Sequence, residues 1–264
     1  SCDLWWPARL SILSKDSTLP IMQHVIPLPA EHMASLLHVE ETYWWHAERR
    51  RWVVALIERF RGKTQPKVVV DVGCGTGETA SFLASTFPTA DVVMVDSNDC
   101  RAAENKSLKF LNQSATDFEL PSPAEVMTCL DVVEHIADPV GAFKRMKTNL
   151  SPEGILIVTV PGHPFLYSAW DTRLGHLKRY RLDELRNELE AAGFRVLYLS
   201  HIFSFALPYL FLRRFSSGST SFPRLFFPMP QLLALCGALE RTWVSLFPSR
   251  LGTSVIAVAT PFCP

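Results

Sequence analysis

A glycine-rich run between acidic residues has the composition of a ligand-binding loop. The sequence Asp-Val-Gly-Cys-Gly-Thr-Gly at 71–77 follows a β-branched stretch and precedes a helical pattern. Glycines in such a turn bring backbone N–H groups close to a ligand, because no side chain stands in the way. Asp96 ends the next apolar run, where a carboxylate can accept hydrogen bonds from both hydroxyls of a ribose. The pattern therefore predicts a site for a nucleoside-containing molecule.

The loop departs from the fingerprint of dinucleotide-binding proteins. In the pattern G-x-G-x-x-G that begins at Gly73, Glu78 replaces the third glycine. A carboxylate at this position repels a pyrophosphate, but it tolerates a ligand that lacks phosphate and carries positive charge. S-adenosylmethionine is such a ligand, and Asp71 would attract its cationic groups. An NAD(P)-dependent oxidoreductase of the same fold is the alternative, which Glu78 disfavours.

Four segments resemble the motifs of class I S-adenosylmethionine-dependent methyltransferases, in particular the ubiquinone-type O-methyltransferases. They follow strands one, two and four or precede strand five, at 68–77, 93–97, 130–135 and 150–155. The resemblance covers about residues 40–200 and the last strand. It implies a Rossmann-like sheet of seven strands with helices on both faces, in which strand seven is antiparallel and lies between strands five and six.

The resemblance also implies which residues hold the cofactor. The loop residues Gly73, Cys74, Gly75 and Gly77 are expected beside the methionine part of S-adenosylmethionine. Asp96 is expected to bind the ribose.

Five further positions are expected near the adenine or beyond strand four. The resemblance places Ser97 near the adenine, and Leu130 and Asp131 flanking the cofactor. Many family members have an acid where Ser114 stands, so contacts with the adenine amino group are expected to be weaker here or to shift to the Ala115 backbone.

The helix before the first strand is expected to cover the cofactor. It contains Trp45, which would shield the sulfonium, and Arg49, which would pair with the cofactor carboxylate or with the substrate. A plain amphipathic covering helix is the alternative interpretation.

Two histidines are the candidate general bases. Methyl transfer is an in-line displacement, and a hydroxyl acceptor needs a base that removes its proton. His135 follows strand four and His176 follows strand five, and imidazoles ionise near neutrality. Glu134 and His135 could bind a divalent ion, but neighbouring residues point apart on a helix, so the sequence predicts no metal site. A packed or capping histidine is the structural alternative for His135.

The segments after strand five are predicted to form the substrate rim. The run Gly-His-Leu-Lys-Arg-Tyr at 175–180 resembles a "GH-x-RRY" stretch of related methyltransferases, with Lys178 in place of the first arginine. His163, Arg179 and Tyr180 are the predicted substrate-binding residues, suited to an anionic or hydroxylated molecule. A solvated cationic loop is the alternative.

The elements that must position these residues alternate between strand and helix over residues 67–200. Strands are predicted at 67–72, 91–96, 108–111, 125–130, 155–160 and 194–200, with a last strand at 253–259. Helices are predicted at 78–86, 99–106, 139–149 and around 182–192, and 151–154 is predicted to be a turn. Such alternation favours a doubly wound α/β sheet that binds ligands beyond the carboxyl ends of its strands.

The sequence predicts one catalytic domain with an insertion. Residues 1–30 are interpreted as an irregular arm or a cloning remnant, and residues 31–264 as the methyltransferase domain, beginning with one or two helices over 31–61. The insertion, at about 201–252, is rich in phenylalanine, leucine and proline. It is predicted to be either a lid over an apolar substrate or a surface resting on membrane, and a helical pair that completes the core is the alternative.

Composition limits the partners. The chain has 264 residues, 48% hydrophobic, with 26 basic and 26 acidic residues and a formal net charge of zero. A neutral chain without an Asn/Asp-Pro-Pro-Tyr/Phe run after strand four disfavours nucleic acid as substrate. Six scattered cysteines, no secretory signal and no spanning apolar run predict a cytoplasmic protein, with peripheral membrane contact through the insertion.

Together these features predict an S-adenosylmethionine-dependent methyltransferase. The predicted acceptor is a small or lipid-like molecule, and O-methylation with a histidine base is the leading class. A non-catalytic subunit that binds the cofactor is a second alternative. The oligomeric state is not predicted.

Overall fold

The computed structural model describes residues 43–62, 64–213 and 228–262. Its strands are β1 (Val68–Val72), β2 (Asp91–Asp96), β3 (Lys109–Asn112), β4 (Ala124–Leu130), β5 (Leu150–Pro161), β6 (Phe194–Ile202) and β7 (Ser254–Pro261). Its helices are α1 (Trp44–Arg61), α2 (Glu78–Thr86), α3 (Pro139–Thr148), α4 (Ala169–Leu174), α5 (Leu182–Ala191), α6 (Leu207–Arg213) and α7 (Met229–Leu246). The predicted N-terminal arm, the first helix of 31–61 and part of the insertion lie outside the described residues.

The strands form one sheet in the order β3-β2-β1-β4-β5-β7-β6. Strands β1 to β5 pair in parallel, and β7 runs antiparallel between β5 and β6. This topology confirms the predicted fold class. The strand order reverses between β1 and β4, so the chain leaves these two neighbouring strands in different directions and opens a crevice at their carboxyl ends.

Both faces of the sheet are covered by apolar packing. Alternate residues of one strand point to opposite faces, so Val70 and Val72 of β1 pack into one core while Val69 packs into the other. Trp52 and Leu56 of α1 complete the second core and are fully buried. Helix α1 is thereby fixed against the sheet, and its first turn reaches the crevice. Gly62, at φ 69°, ends this helix.

Two predicted elements differ from the structure. The predicted helix at 99–106 is only a 3₁₀ turn, Ala103–Ser107, in which the Asn105 side chain donates to the Thr76 carbonyl and to Glu78. The predicted turn at 151–154 belongs to β5. The register of β5 against β4 shifts there, so these residues bulge out opposite Glu125.

The insertion is anchored by buried polar groups. The buried Glu240 carboxylate of α7 accepts hydrogen bonds from the backbone N–H groups of Phe203 and Ser204, each at 2.6 Å. The Tyr198 hydroxyl of β6 donates to the Val244 carbonyl at 2.7 Å. Helix α7 also contacts α1. The described part of the insertion therefore completes the core on this side, and α6 extends from it towards the crevice.

Candidate active site

A cleft of about 240 Å³ opens at the carboxyl ends of β1, β4 and β5. It lies at the predicted end of the sheet and is lined by most of the predicted site residues. These are Trp45, Arg49, Asp71, Gly73, Cys74, Gly75, Leu130, Asp131, His135, His176 and Arg179. The α1 residues form one wall and the loops after the strands form the others.

The glycine loop at the start of α2 depends on backbone conformations that favour glycine. Gly73, Gly75 and Gly77 have φ values of 73°, 53° and 85°. A Cβ atom built on Gly73 would lie 2.3 Å from a methyl carbon of Val132, so the loop has no room for a side chain there. The Gly75 N–H donates to the Asp96 carboxylate at 3.0 Å. Asp96 is thus held at the loop, although it does not itself line the cleft.

Buried polar groups beneath the loop fix its shape. Asp71 is buried and accepts a hydrogen bond from the Thr128 hydroxyl of β4 at 2.6 Å. Burial and the nearby carboxylates of Asp71 and Asp96 raise the pKa of the Cys74 thiol far above its usual value. Cys74 is therefore a neutral wall residue and not a nucleophile. The described cysteines are unpaired.

The predicted adenine contacts and Gly77 lie outside the cleft lining. Ser97 is exposed beside Asn98, and the Ser114 hydroxyl bonds to that of Thr116 at 2.9 Å. Ala115 is buried in the core. These residues follow β2 and β3, which end at the same edge of the sheet as Asp96, but they do not line the cavity.

An ion pair links α1 to the end of β4. Arg49 pairs with Asp131, whose other carboxylate oxygen accepts a hydrogen bond from the Thr159 hydroxyl at 3.1 Å. Asp131 has a positive φ of 57°, which is uncommon for a residue other than glycine and directs the chain into the next turn. The sequence predicted Arg49 to meet the cofactor or substrate, and the structure adds Asp131 as its partner within the chain.

An aromatic wall forms where α1 meets the insertion. Trp45 packs against Phe203 with ring centroids 4.5 Å apart, and Trp44 contacts both Phe203 and Phe205. Tyr209 of α6 also lines the cleft. Sequence reasoning selected Trp45 but missed Tyr209. The aromatic richness of the insertion was the signal, but it did not say which ring faces inward.

Two histidines meet at the other end of the cleft. Residues Val133–His135 form a 3₁₀ turn after β4, and His176 follows Gly175 at the end of α4. The two imidazoles lie edge to face with centroids 4.9 Å apart. The hydrogen-bond partner of His135 Nδ1 is the Gly175 carbonyl at 3.2 Å, and that of His176 Nδ1 is Asp171 at 2.9 Å. Both partners accept, so each Nδ1 donates, and the neutral form of such a ring has its lone pair on Nε2.

Asp171 is a buried carboxylate that accepts several hydrogen bonds, and sequence reasoning missed it. Besides His176, its carboxylate accepts hydrogen bonds from Arg179 Nε at 2.7 Å and from the Ser168 N–H at 3.0 Å. These cationic and hydrogen-bonding partners hold the pKa of Asp171 below its usual value, although burial raises it. The signal available in the sequence was the capping box, in which Ser168 stands three residues before Asp171.

Glu134 is the second functional candidate that sequence reasoning did not select. Its side chain is fully buried at the cleft, and neither carboxylate oxygen has a hydrogen-bond partner among the described residues. Burial and the nearby Asp131 raise the pKa of Glu134 well above its usual value. The ligand atoms of Glu134, His135 and His176 lie within 4.8 Å of one another. The expectation that Glu134 and His135 point apart is therefore wrong, because they occupy a tight 3₁₀ turn and not a regular helix.

Two predicted rim residues do not face the cleft. The side chain of Tyr180 is fully buried in the core and does not line the cleft, and the Lys178 ammonium lies over its ring. The prediction that this side chain binds substrate is therefore wrong. His163 stacks on His201 with centroids 4.1 Å apart and is also absent from the lining. Arg179 does line the cleft, but its buried guanidinium is engaged by Asp171 and by the Gly162 carbonyl.

The family is decided by a model that covers more than half of the chain. A family model described as "Methyltransferase domain" matches residues 44–199, which include the glycine loop, Asp96 and the two histidines. The chain belongs to the methyltransferase domain family. It is a class I methyltransferase, and its cofactor is S-adenosylmethionine. This confirms the resemblance inferred from the motifs.

Curated relatives of this methyltransferase match over a shorter region. Trans-aconitate 2-methyltransferase from Acidovorax ebreus is 24% identical over 147 residues, covering 50% of this chain and 57% of the relative. Ubiquinone biosynthesis O-methyltransferase from Thiobacillus denitrificans is 29% identical over 114 residues, covering 40% and 47%. The chain thus spans about half the length of these relatives.

Solved structures support the fold over most of the methyltransferase. The plantazolicin methyltransferase BpumL, solved with S-adenosylhomocysteine, superposes with a TM-score of 0.59 at 14% identity, covering 88% of this chain and 91% of that one. At this identity the similarity establishes the fold alone. Among the described residues, no helix combines the length and apolarity that crossing a bilayer requires.

Proposed function

We propose that this methyltransferase transfers the methyl group of S-adenosylmethionine to a hydroxyl oxygen of a small or lipid-like acceptor. The observation that carries the proposal is the pair of imidazoles beside Glu134 in the cleft that the glycine loop also lines. The Asp171 carboxylate accepts a hydrogen bond from Nδ1 of His176, so the Nε2 lone pair of His176 can receive a proton from an acceptor hydroxyl. An amine acceptor needs no such group once it is deprotonated in solution.

The two ends of the cleft then have separate tasks. The glycine loop and Asp96 hold the cofactor, while Trp45 shields its sulfonium. Arg49 places positive charge beside the cofactor carboxylate or an acidic group of the acceptor, and Asp131 keeps its guanidinium in position.

The reaction is a single displacement. The acceptor oxygen forms a bond to the methyl carbon as the carbon–sulfur bond breaks, and the electron pair of that bond stays on sulfur, giving S-adenosylhomocysteine. When the chain's own side chains remove the hydroxyl proton, His176 is the better placed base. Asp171 fixes its tautomer and stabilises the imidazolium that forms, as a carboxylate does behind a catalytic histidine.

The acceptor class follows from the walls of the cleft. Trp44, Trp45 and Tyr209 supply flat apolar surfaces, which suit an aromatic or acyl group. One relative is named for trans-aconitate, which is a carboxylic acid, and another is named as an O-methyltransferase of ubiquinone biosynthesis. This supports an oxygen acceptor without selecting one compound.

Calorimetry tests the cofactor and mass spectrometry tests the acceptor atom. Purified protein is titrated with S-adenosylhomocysteine, with NADH as the control. We expect micromolar binding of the first and none of the second. Incubation with deuteromethyl-labelled cofactor and panels of hydroxylated and amino acceptors should then label ethers or esters. Labelling of amines alone, or binding of NADH alone, would refute the proposal.

A lipid-like acceptor is favoured by the outer face of α7. Its positions Leu232, Leu235, Leu239, Trp243 and Leu246 are each more than half exposed and follow helical spacing. Tyr209 of α6, in the same insertion, is half exposed and lines the cleft. We propose that the face rests on a membrane and admits a lipid-linked acceptor. The protein should co-sediment with phosphatidylglycerol vesicles, and Leu239→Ser/Trp243→Ser should not, whereas the control Leu197→Ser on β6 should. Equal sedimentation of all three proteins would refute membrane contact.

A further inference from the structure

We propose that Glu240 is a positioning residue, which acts from behind the cleft on the aromatic wall that receives the acceptor. Its side chain is buried and does not line the cleft. It acts through Phe203, whose ring packs against Trp45. The claim that this wall receives a flat apolar group of the acceptor rests on the proposed function, whereas the link from Glu240 to the wall rests on contacts within the chain.

The turn after β6 begins with an unfavourable backbone conformation. Phe203 has a φ of 63°, in the left-handed region that bulky residues rarely adopt, and its ring is fully buried. Such a conformation persists only where the surrounding structure imposes it. Residues Ser204–Ala206 then form a 3₁₀ turn that leads directly into α6. The conformation of Phe203 therefore sets the direction in which α6 leaves the sheet.

The Glu240 carboxylate supplies the acceptors that hold this turn. One of its oxygens accepts a hydrogen bond from the Phe203 N–H, and the other accepts hydrogen bonds from the N–H and the hydroxyl of Ser204. In the described part of the chain, Glu240 accepts hydrogen bonds from these two residues alone. The N–H groups stand at the start of the helical segment 204–213, which has no acceptor of its own for them, and its peptide dipoles favour a negative charge there.

The same turn supports one side of the aromatic wall. The Phe203 ring packs against Trp45 with centroids 4.5 Å apart, and it meets Trp44 edge to face at 5.9 Å. Both tryptophans line the cleft, and so do Tyr209 and Leu210 of α6. A shift of Phe203, or of the start of α6, therefore moves the rings that face the cavity.

Helix α7 fixes the position of Glu240 relative to α1. The next residue, Arg241, forms an ion pair with the buried Glu48 of α1. A Cβ atom on Gly237 would lie 2.5 Å from the Glu48 side chain, so α7 packs directly on α1. Two adjacent residues of opposite charge thereby tie α7 to both segments that build the wall. A wall held in place before binding receives a flat group with a smaller loss of conformational entropy.

Binding of a flat aromatic alcohol to the purified full chain tests the proposal. The probe is 1-naphthol, titrated by calorimetry into protein saturated with S-adenosylhomocysteine. Glu240→Gln keeps the size of the side chain, but its NH₂ group faces one of the two N–H groups and leaves that donor without an acceptor. We expect about tenfold weaker binding of 1-naphthol. The Kd of S-adenosylhomocysteine should change less than about twofold, because the glycine loop holds the cofactor.

A second variant tests the same link without touching the carboxylate. Phe203→Leu keeps the backbone hydrogen bonds to Glu240 but removes the ring that packs against Trp45. It should also weaken the binding of 1-naphthol. If Glu240→Gln does not fold, this variant still decides the question. Normal binding of 1-naphthol by Phe203→Leu, or by folded Glu240→Gln, would overturn the positioning role.

The matched control removes a different buried anchor of α7. Tyr198→Phe deletes the hydroxyl that donates to the Val244 carbonyl. It should lose stability in urea, as Glu240→Gln does, but keep its affinity for 1-naphthol. Equal weakening in Tyr198→Phe and Glu240→Gln would show that any loosening of α7 has this effect, and it would overturn the specific role of Glu240.

Binding of S-adenosylhomocysteine shows that each variant is folded. Wild-type protein that binds this ligand but not 1-naphthol would overturn the wall as the receiving surface, and the positioning role with it. The two proposals fail separately, because binding of 1-naphthol requires no methyl transfer. Labelling of amines alone refutes only the proposed function, whereas unchanged binding of 1-naphthol by the variants refutes only the role of Glu240.

Discussion

The two ends of the cleft are built by different means. The glycine loop is a contiguous segment whose backbone conformation makes the site, with Asp96 held on Gly75. The histidine end is assembled from α1, the turn after β4 and the loop around α4, through the side chains of Arg49, Glu134, Asp171 and His176. The first end is therefore sensitive to any added atom, whereas the second is sensitive to the loss of charge or of a hydrogen bond.

The largest effect is expected at the glycine end. Gly73→Ala puts a Cβ atom 2.3 Å from Val132 at a φ of 73°, so the loop must move. We expect the affinity for S-adenosylhomocysteine, measured by calorimetry, to fall about 1000-fold, which corresponds to about 4 kcal/mol. Gly62→Ala is the matched control, because its φ is 69° but nothing lies within 4 Å. It should lose about 1 kcal/mol of folding stability and keep its affinity. Equal affinities of the two variants would break the comparison.

Loss of the buried carboxylate behind His176 should separate chemistry from cofactor binding. Asp171→Asn keeps the shape but removes the charge that holds His176 and Arg179. We expect kcat to fall about 100-fold while the S-adenosylhomocysteine Kd changes less than about twofold. Asp183→Asn, an exposed carboxylate in the first turn of α5, should leave both unchanged. A parallel loss of cofactor affinity in Asp171→Asn would show that the two ends are not independent.

We expect the stability of the fold to be sensitive to acid because of His201, a buried histidine of β6 outside the cleft. Burial and the stacked His163 lower the pKa of His201 to about 4, although a hydrogen bond with Ser254 opposes the shift. The unfolded chain then binds a proton near pH 6.5 that the folded chain excludes, so stability falls as pH drops from about 6.5 towards 4.

This histidine accounts for about 2 kcal/mol of stability lost between pH 7.5 and pH 5. Urea unfolding at the two pH values measures the loss. His201→Gln should lower stability at pH 7.5 but show a difference between the two pH values that is smaller by about this amount. An unchanged difference would contradict the depressed pKa.

The smallest effect is expected where the two ends meet. Arg49→Met removes the guanidinium that pairs with Asp131 and is predicted to face the cofactor carboxylate, but it retains the bulk in the α1 wall. We expect about tenfold weaker S-adenosylhomocysteine binding, or about 1.4 kcal/mol. Arg51→Met, whose side chain is about half exposed on the same helix, is the control and should bind normally. If Arg49→Met also binds normally, Arg49 serves only the histidine end.

The difference between a contiguous loop and a site assembled from distant segments also explains which features could be predicted from the sequence. The loop at 71–77 and the strands were predictable, because they depend on local patterns of glycine and β-branched residues, whereas the place of β7 between β5 and β6 was implied by the resemblance to a known family. Asp171 and Glu134 were not selected, because an acidic residue in a sequence does not reveal that its carboxylate is buried beside an imidazole. Tyr180 was placed at the rim, but the bridge between Gly162 and Tyr180 turns its side chain into the core. Neighbouring residues in an extended segment face opposite ways. Arg179 therefore faces the cleft, whereas the next residue, Tyr180, faces the core.

The sequence by itself determined the alternation of strands and helices and the glycine turn at 71–77, and its motifs carried the resemblance that implied the family and the antiparallel seventh strand. The alternation and the turn follow from interactions among residues close in the chain and from periodicities that each element must satisfy. Tertiary structure alone decided that Glu134, His135 and His176 converge, that Arg49 pairs with Asp131 across the cleft, and that the insertion is pinned by Glu240. The physical reason is that convergence depends on loop paths and burial, which fix distances and charge environments only after the chain has packed.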